Sequence, residues 1–273
     1  MKSLPRIKEN ITDITAVTQL NDNSCALLRN INFHDFDITG DSLKKKNISF
    51  IKCLFSHQEI QNIVFEDCSF EDCQFVGSNI YNCDFHRCSF SNCNFFRASI
   101  AETYLDPSSF KFNSEWRIYW PNVNTSWYQA LYRNSMDIHQ EEFSRKADKR
   151  FLFYKRYEHL NGKNKSRTKF WRGFFYDWML GYGYGILNSL VVTIIMLIGF
   201  AMLMLGEAQH NEKVVLNPIE MVYFSIVSFT TVGYGEITPL HESFALSMTI
   251  GFLFLSVAWG AIVTAVIVKR LVR

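Results

Sequence analysis

The sequence predicts a protein of mixed class: a solenoid, then helices, then an α-helical membrane module with a re-entrant segment. Three observations carry this. A five-residue period runs from Phe50 to Phe110, helical stripes follow over 125–162, and two uncharged apolar runs near the carboxyl end bracket a short apolar segment that ends in glycines. The averages conceal the division, because 48% hydrophobic residues and a net charge of +2 suit an ordinary soluble chain of 273 residues. Length alone allows about two domains.

Large apolar residues recur at Phe50, Phe55, Ile60, Phe65, Phe70, Phe75, Ile80, Phe85, Phe90, Phe95, Ile100, Leu105 and Phe110. Small residues stand two positions before many of them, at Cys53, Cys68, Cys73, Ser78, Cys83, Cys88, Cys93 and Ala98. A strand keeps one face with a period of two and a helix with about 3.6, and on a helix successive fives drift by roughly 140°. A fixed repeat that fits neither marks a solenoid. These residues resemble the pentapeptide-repeat proteins. The resemblance implies a square right-handed β-helix over 48–112, with one five-residue block per side and four per coil. It makes about three coils, with the bulky and the small residues both inward. Residues 1–47 are then a segment leading into the solenoid.

All seven cysteines lie between Cys25 and Cys93. The odd count, and an opening "MKSLPRIKENITD" without an apolar leader, argue for reduced thiols in a cytosol. Cys53, Cys73 and Cys93 stand one coil apart, as do Cys68 and Cys88. Stacked strands about 4.7–4.9 Å apart leave these Cβ atoms wider than the about 3.5–4.5 Å of a disulfide. Zinc motifs favour closer pairs such as C-x-x-C. Small buried packing residues without a metal are expected.

After "EWRIYWPNVN" the pattern turns helical. Thr125 or Ser126 is expected to cap a helix through about Met136, with Trp127 and Leu131 on one face. Asp137 and Gln140 resemble a capping box for a second helix. Its Phe143, Ala147, Phe151 and Tyr154 form an i, i+4, i+8, i+11 stripe, and Gly162 after Asn161 is its stop. Residues 125–162 thus read as a cytosolic helical hairpin. Residues 163–183 read as a linker in which Lys163, Lys165, Arg167, Lys169 and Arg172 accompany Trp171, Phe174, Phe175, Tyr176 and Trp178. Basic residues beside aromatics also suit nucleic acid. Directly before an apolar run they suit a membrane interface better, so the lipid bilayer and no nucleic acid is the expected partner.

The first span, 184–206, centres on Ile186 to Leu205, twenty uncharged residues and enough for roughly 30 Å of hydrocarbon. The second, 243–268, is equally apolar. Basic residues flank both outer ends, with Lys269, Arg270 and Arg273 after the second span. The positive-inside rule then puts both termini in the cytoplasm. Between the spans Pro218 can open a helix, and "PIEMVYFSIVSF" is too short to cross. Irregular backbone at that depth survives only when buried in protein or lining a water-filled path. Residues 218–235 therefore read as a pore helix and its loop.

"TTVGYGEITP" resembles the potassium-channel signature, and the order of span, pore helix, loop and span is that of the two-span potassium channels, over about 184–268. The resemblance implies a filter of Thr231, Val232, Gly233, Tyr234 and Gly235. The carbonyls of the first four line the path, and the Thr231 hydroxyl adds the innermost ring. Gly233 and Gly235 accept φ > 0 without a Cβ clash, and alternation of backbone hand turns successive carbonyls toward one axis. The Tyr234 ring is expected to point away and brace the loop against the pore helix. One chain supplies one loop and the filter needs four, which implies a homotetramer. Thr230, Glu236, Tyr223 and Phe224 stand as filter support, the last two where many relatives carry a Trp pair and Glu236 where they carry Asp. Gly251 and Gly260 are candidate hinges or close-packing sites.

The expected function is a homotetrameric potassium-selective channel of the plasma membrane, bacterial inner membrane in type. K+ is its permeant ion, with no organic cofactor and no other metal. Its pentapeptide-repeat domain regulates or assembles it, with room for an unidentified cytosolic partner or ligand on the solenoid. The alternative is a membrane-tethered scaffold with a silent pore. DNA mimicry, as in some pentapeptide proteins, wants an acidic surface, whereas Lys52, His86, Arg87 and Arg97 are mixed with the acids. No phosphate-binding glycine loop or nucleophile elbow suggests an enzyme, and no arginine ladder suggests a voltage sensor.

Overall fold

The computed structural model describes residues 12–14, 26–29, 31–33, 43–162, 165–210 and 216–271. Cys25, Lys163, Glu212, Lys213 and Arg273 lie outside them. The chain forms two compact units, Met1–Phe174 and Phe175–Arg273.

In the first unit, short parallel strands stack on the sides of a β-helix of about three turns over residues 44–111. One side stacks Ile48–Ile51, Ser69–Glu71, Ser89–Ser91 and Phe110–Lys111. A second stacks Leu43–Lys46, Ile63–Glu66, Asp84–His86 and Tyr104–Leu105. A third holds Glu59–Gln61, Asn79–Tyr81 and Ser99–Ala101, and bridges from Asn32 through Leu54 and Gln74 to Asn94 make the fourth. Partners differ by twenty residues, as in Phe50↔Phe70 and Phe90↔Phe70, so four blocks make a coil.

The solenoid starts earlier than residue 48. Ala26–Arg29 pairs with Ile48–Ile51 in the register Ala26↔Ile48, and Thr12–Ile14 pairs with Ile31–Phe33 in the register Thr12↔Ile31. These offsets of 22 and 19 residues depart from the twenty-residue coil. They break the five-residue count, which is why the repeat becomes visible only from Phe50.

Parallel strands in register place identical side chains above one another. Phe50, Phe70, Phe90 and Phe110 accordingly stack with ring centroids 4.8, 4.7 and 4.8 Å apart. Phe55, Phe75 and Phe95 do so at 4.7 and 4.8 Å. The cysteines from Cys53 to Cys93 are all buried free thiols. Cys73, Cys83, Cys88 and Cys93 donate to the carbonyls of Phe50, Ile60, Phe65 and Phe70 at 3.3–3.5 Å, one coil below. A small residue is needed there, and a thiol fills the space while donating to a buried oxygen. Burial pushes the Cys83 thiol up to about 11, away from the reactive thiolate.

The turns follow a third periodic position. From Phe50 to Ile100 the backbone two residues after each bulky centre is left-handed, at Lys52, His57, Asn62, Asp67, Asp72, Gly77, Asn82, Arg87, Asn92, Arg97 and Glu102, as it is at Asn47 before them. Asn, Asp and Gly enter this region most readily, and they fill most of these places. On the outer surface Lys44 and Lys46 each lie 2.7 Å from Glu66 and hold its carboxyl down to about 2. Arg87 makes two 2.7 Å bonds to Asp67.

Four helices complete this unit or lead out of it: α1 (Ser114–Tyr119), α2 (Pro121–Asp137), α3 (Glu141–Asn161) and α4 (Arg167–Leu180). Neither Thr125 nor Ser126 caps α2. Pro121 opens it, its fixed φ being suited to the first turn, and both hydroxyls bond back to carbonyls four residues earlier. The proposed Asp137–Gln140 box is also absent: Ile138 and a left-handed His139 make the turn, and Gln140 precedes α3 without a side-chain cap. Gly162 does end α3, in extended rather than left-handed backbone, its N–H donating to Glu158 at 2.7 Å.

The hairpin is part of the solenoid core. Trp127 stacks on Phe95 at 4.1 Å and continues the Phe55–Phe75–Phe95 column. Tyr128, Leu131, Ala147 and Tyr154 join the same cluster. Asn134 accepts from Thr103 N at 3.0 Å and donates to Thr103 O at 2.7 Å, pairing the last coil as a further strand would. The expected linker contains α4, a helix with no buried residue. Arg156 of α3, only 7% exposed, lies over the rings of Phe153, Tyr157, Phe170 and Phe174 at 5.3–5.8 Å.

The second unit holds α5 (Ile186–Leu203), α6 (Pro218–Phe229) and α7 (Ser243–Leu271). Helices α5 and α7 are long and apolar enough to cross a membrane. Phe200 of α5 stacks on Phe252 of α7 at 3.8 Å, and Phe224 of α6 packs on Phe200 at 5.8 Å. Polar contacts tie the three together. Trp259 Nε1 donates to Thr193 Oγ1 at 2.9 Å, and Ser225 Oγ donates to the Leu197 carbonyl at 2.8 Å.

Candidate pore loop

The loop is built outward from α6. Asn217 precedes the helix, Pro218 opens it, and the Asn217 N–H donates to Glu220 Oε2 at 2.6 Å. At the far end Thr230 is the C-cap, its hydroxyl donating to the Ile226 carbonyl at 2.8 Å. Thr231 N and Val232 N then bond back to Ser228 O and Val227 O at 3.2 and 3.1 Å. The first two loop residues are thereby pinned to the last turn of the helix.

From there the backbone alternates in hand. Thr231, Gly233 and Gly235 have φ of 59°, 59° and 88°, and Val232 and Tyr234 between them have none of positive sign. The two glycines were expected to behave so. Thr231 is the addition: a β-branched residue in the left-handed region is a steric outlier, and such strain persists where surroundings impose it, commonly at functional sites. A Cβ built on Gly233 or Gly235 meets nothing within 4 Å in its own chain. Backbone conformation, not crowding within the subunit, therefore sets the need for glycine.

The support residues divide. Tyr223 donates its hydroxyl to Glu236 Oε1, across the Thr231–Gly235 loop. Phe224 turns the other way, into the core with Phe200 and Phe252. The ring of Tyr234 is 72% exposed, so its own pore helix does not cover it and the expected bracing is not made within the chain. Gly251 and Gly260 lie within the unbroken α7, and a Cβ at either meets nothing within 4 Å. Neither glycine is a close-packing site inside the subunit.

A feature absent from the sequence reading holds the outer end. Ala208–His210 and Ile237–Pro239 form an antiparallel ribbon in the register Ala208↔Pro239, and Leu240 N donates to Glu207 O at 2.8 Å. Residues 206–210 read only as part of a polar connection, because three residues are too few to show a strand period. Large apolar side chains of this unit stand open in the single chain, among them Ile219 at 83% and Phe254 at 77%. Such surface requires lipid or other subunits.

Residues 190–273 match the family model described as ion channel, and residues 48–110 match pentapeptide repeats in three overlapping stretches. No curated protein matches the chain. Among solved structures, two trypsin-treated forms of QnrB1, a plasmid-mediated fluoroquinolone resistance protein, are similar. One is 20% identical, covering 32% of this chain and 50% of that one, with a TM-score of 0.20. The other is 18% identical, covering 34% and 55%, with a TM-score of 0.19. The chain spans about half the length of each.

Proposed function

We propose that this chain, an ion-channel domain joined to pentapeptide repeats, is the subunit of a homotetrameric potassium-selective channel. Thr231 to Gly235 form its filter, and K+ is the ion it carries. The observation that carries the reading is the alternating backbone hand of a Thr-Val-Gly-Tyr-Gly loop pinned at one end to a half-membrane helix and at the other to a ribbon. An ion leaving water needs oxygen ligands in place of its hydration shell, and backbone carbonyls from four such loops supply them. Both termini face the cytoplasm of a bacterial inner membrane, following the basic residues that flank the spans. The pentapeptide-repeat unit then serves regulation or assembly from the cytosol.

The test is ion flux through the purified full-length protein in liposomes. Potassium uptake exceeding sodium uptake at least about tenfold is expected of a carbonyl-lined filter. A folded tetramer that passes neither ion would instead favour a membrane-tethered scaffold with a silent pore.

A further inference from the structure

The segment Gly181 to Gly185, Gly-Tyr-Gly-Tyr-Gly, lies outside the Thr231–Gly235 loop. It is the turn between α4 and α5, and its backbone is unusual. Gly181, Tyr182 and Gly183 are all left-handed, with φ of 50°, 58° and 81°. A tyrosine in that region is disfavoured by its Cβ, so the contacts around the turn must hold it there.

Those contacts are specific. Asn188, in the first turn of α5, donates through Nδ2 to the carbonyl of Trp178 at 2.9 Å and reaches that of Asp177 at 3.4 Å, closing the end of α4. Tyr182 is buried and meets the ring of Tyr176 edge-on at 6.0 Å. Gly183 leaves room for the Tyr176 hydroxyl, which a Cβ would approach to 2.9 Å. Against this turn comes the last part of α7: Lys269 Nζ lies 3.9 Å from the centroid of the Tyr184 ring, and Tyr184 is itself buried. A lysine at a helix end is ordinarily a hydrated, mobile cation. Here its head sits on a buried aromatic face that belongs to the approach to the other span.

We infer that Lys269 and Tyr184 form a cation–π latch that fixes the carboxyl end of α7 to the α4–α5 turn. The latch thereby biases the equilibrium between a held and a released carboxyl end of α7, and with it the open probability of the channel. The inference rests on the channel reading above. The geometry supports a latch more than a general packing contact because one charged atom at the end of a long helix meets one ring. That ring is held by a turn whose strained backbone has few alternatives. Releasing it frees the last turns of α7 without touching the filter.

The experiment uses the full-length protein and four single variants: Lys269→Gln, Lys269→Arg, Tyr184→Leu and Tyr184→Phe, with the Lys269→Gln/Tyr184→Leu double. Open probability is read in planar bilayers, and amide hydrogen exchange is read over residues 262–271. Lys269→Gln and Tyr184→Leu are expected to shift open probability in the same direction by about threefold or more, the lower end of what a cation–π contact contributes. Both should also speed exchange in the last turns of α7. The double variant should move no further than either single, since the two residues make one contact. Lys269→Arg and Tyr184→Phe keep a cation and a ring and should stay near the parent, with ion selectivity unchanged throughout. Additive single effects, unchanged exchange, or faster exchange without a change in open probability each overturn the latch. A parent protein that conducts no ion defeats the channel reading itself, whereas a conducting parent with unmoved variants defeats only the latch.

Discussion

Thr231 and Gly233 share a φ of 59° and differ in what that conformation costs them. Glycine accepts it freely, whereas a residue with a Cβ is disfavoured by about 1–2 kcal/mol. Thr231 tolerates that cost because its N–H and that of Val232 are tied to the end of α6. Gly233 avoids that cost because it lacks a side chain. Gly233→Ala is therefore expected to let the 232–234 backbone relax and turn a carbonyl off the axis, repeated in every subunit. Potassium-over-sodium selectivity in liposome flux should fall at least about tenfold while the protein still elutes as a tetramer. Unchanged selectivity would remove Thr231 to Gly235 from the role of filter. The same scale explains why Tyr223 and Phe224, adjacent in sequence, do different work: consecutive helical residues point about 100° apart, one to Glu236 and one into the core.

Among the elements, α2 decides whether the solenoid ends cleanly. A β-helix leaves its last coil with open backbone and an apolar disc facing outward, an edge that natural sheets must cover. Here Trp127 covers the disc at the end of the Phe95 column, and Asn134 pairs with the backbone N–H and carbonyl of the buried Thr103. Trp127→Ala should cost about 3–5 kcal/mol, the usual loss for a large buried aromatic. The cost should appear as a lowered thermal midpoint of the first unit, measured by circular dichroism on the detergent-solubilised protein. Asn134→Leu, which keeps volume but leaves Thr103 unpaired, should also destabilise, by about 1–3 kcal/mol. A midpoint unmoved by both changes would show that α2 lies against the coil without stabilising it.

For the whole molecule, the boundary between modules falls where cores end. The sequence reading separated the solenoid at 48–112 from a hairpin at 125–162, but one apolar cluster runs from Ile31 and Ile48 through Trp127 to Tyr154. In the second unit the buried residues of the apolar cluster run from Phe200 to Phe252. Deleting residues 1–120 would strip Trp127 of Phe95 and Phe110, and Tyr128 of Phe110 and Phe112, and is expected to give an aggregating protein. Deleting residues 1–162 removes the first cluster entirely. The remaining chain should conduct potassium selectively, with altered open probability or a less stable tetramer, compared with the full chain in the same bilayers. Lost selectivity after the longer deletion would mean that the filter depends on the repeats. Unaltered gating and tetramer stability would leave the first unit a docking scaffold.

The sequence alone determined the parts whose burial repeats. Thirteen bulky residues five apart announce a solenoid because each coil presents the same environment again. Uncharged runs announce spans because hydrocarbon excludes charge along a whole helix. The short apolar segment before the glycines was legible as a helix of the wrong length for crossing, and it is the helix Pro218–Phe229. Contacts made once leave no period. The tertiary structure alone decided that Asn134 closes a coil 31 residues earlier, that Tyr223 reaches Glu236 13 residues on, and that Lys269 rests on Tyr184. It also decided that residues 208–210 form a ribbon with 237–239, and that the strands 12–14 and 26–29 pair in parallel at offsets of 19 and 22 residues. A pattern in sequence records an environment met many times, whereas a cap, a ribbon or a latch is a single meeting of distant residues, specified only when the chain has packed.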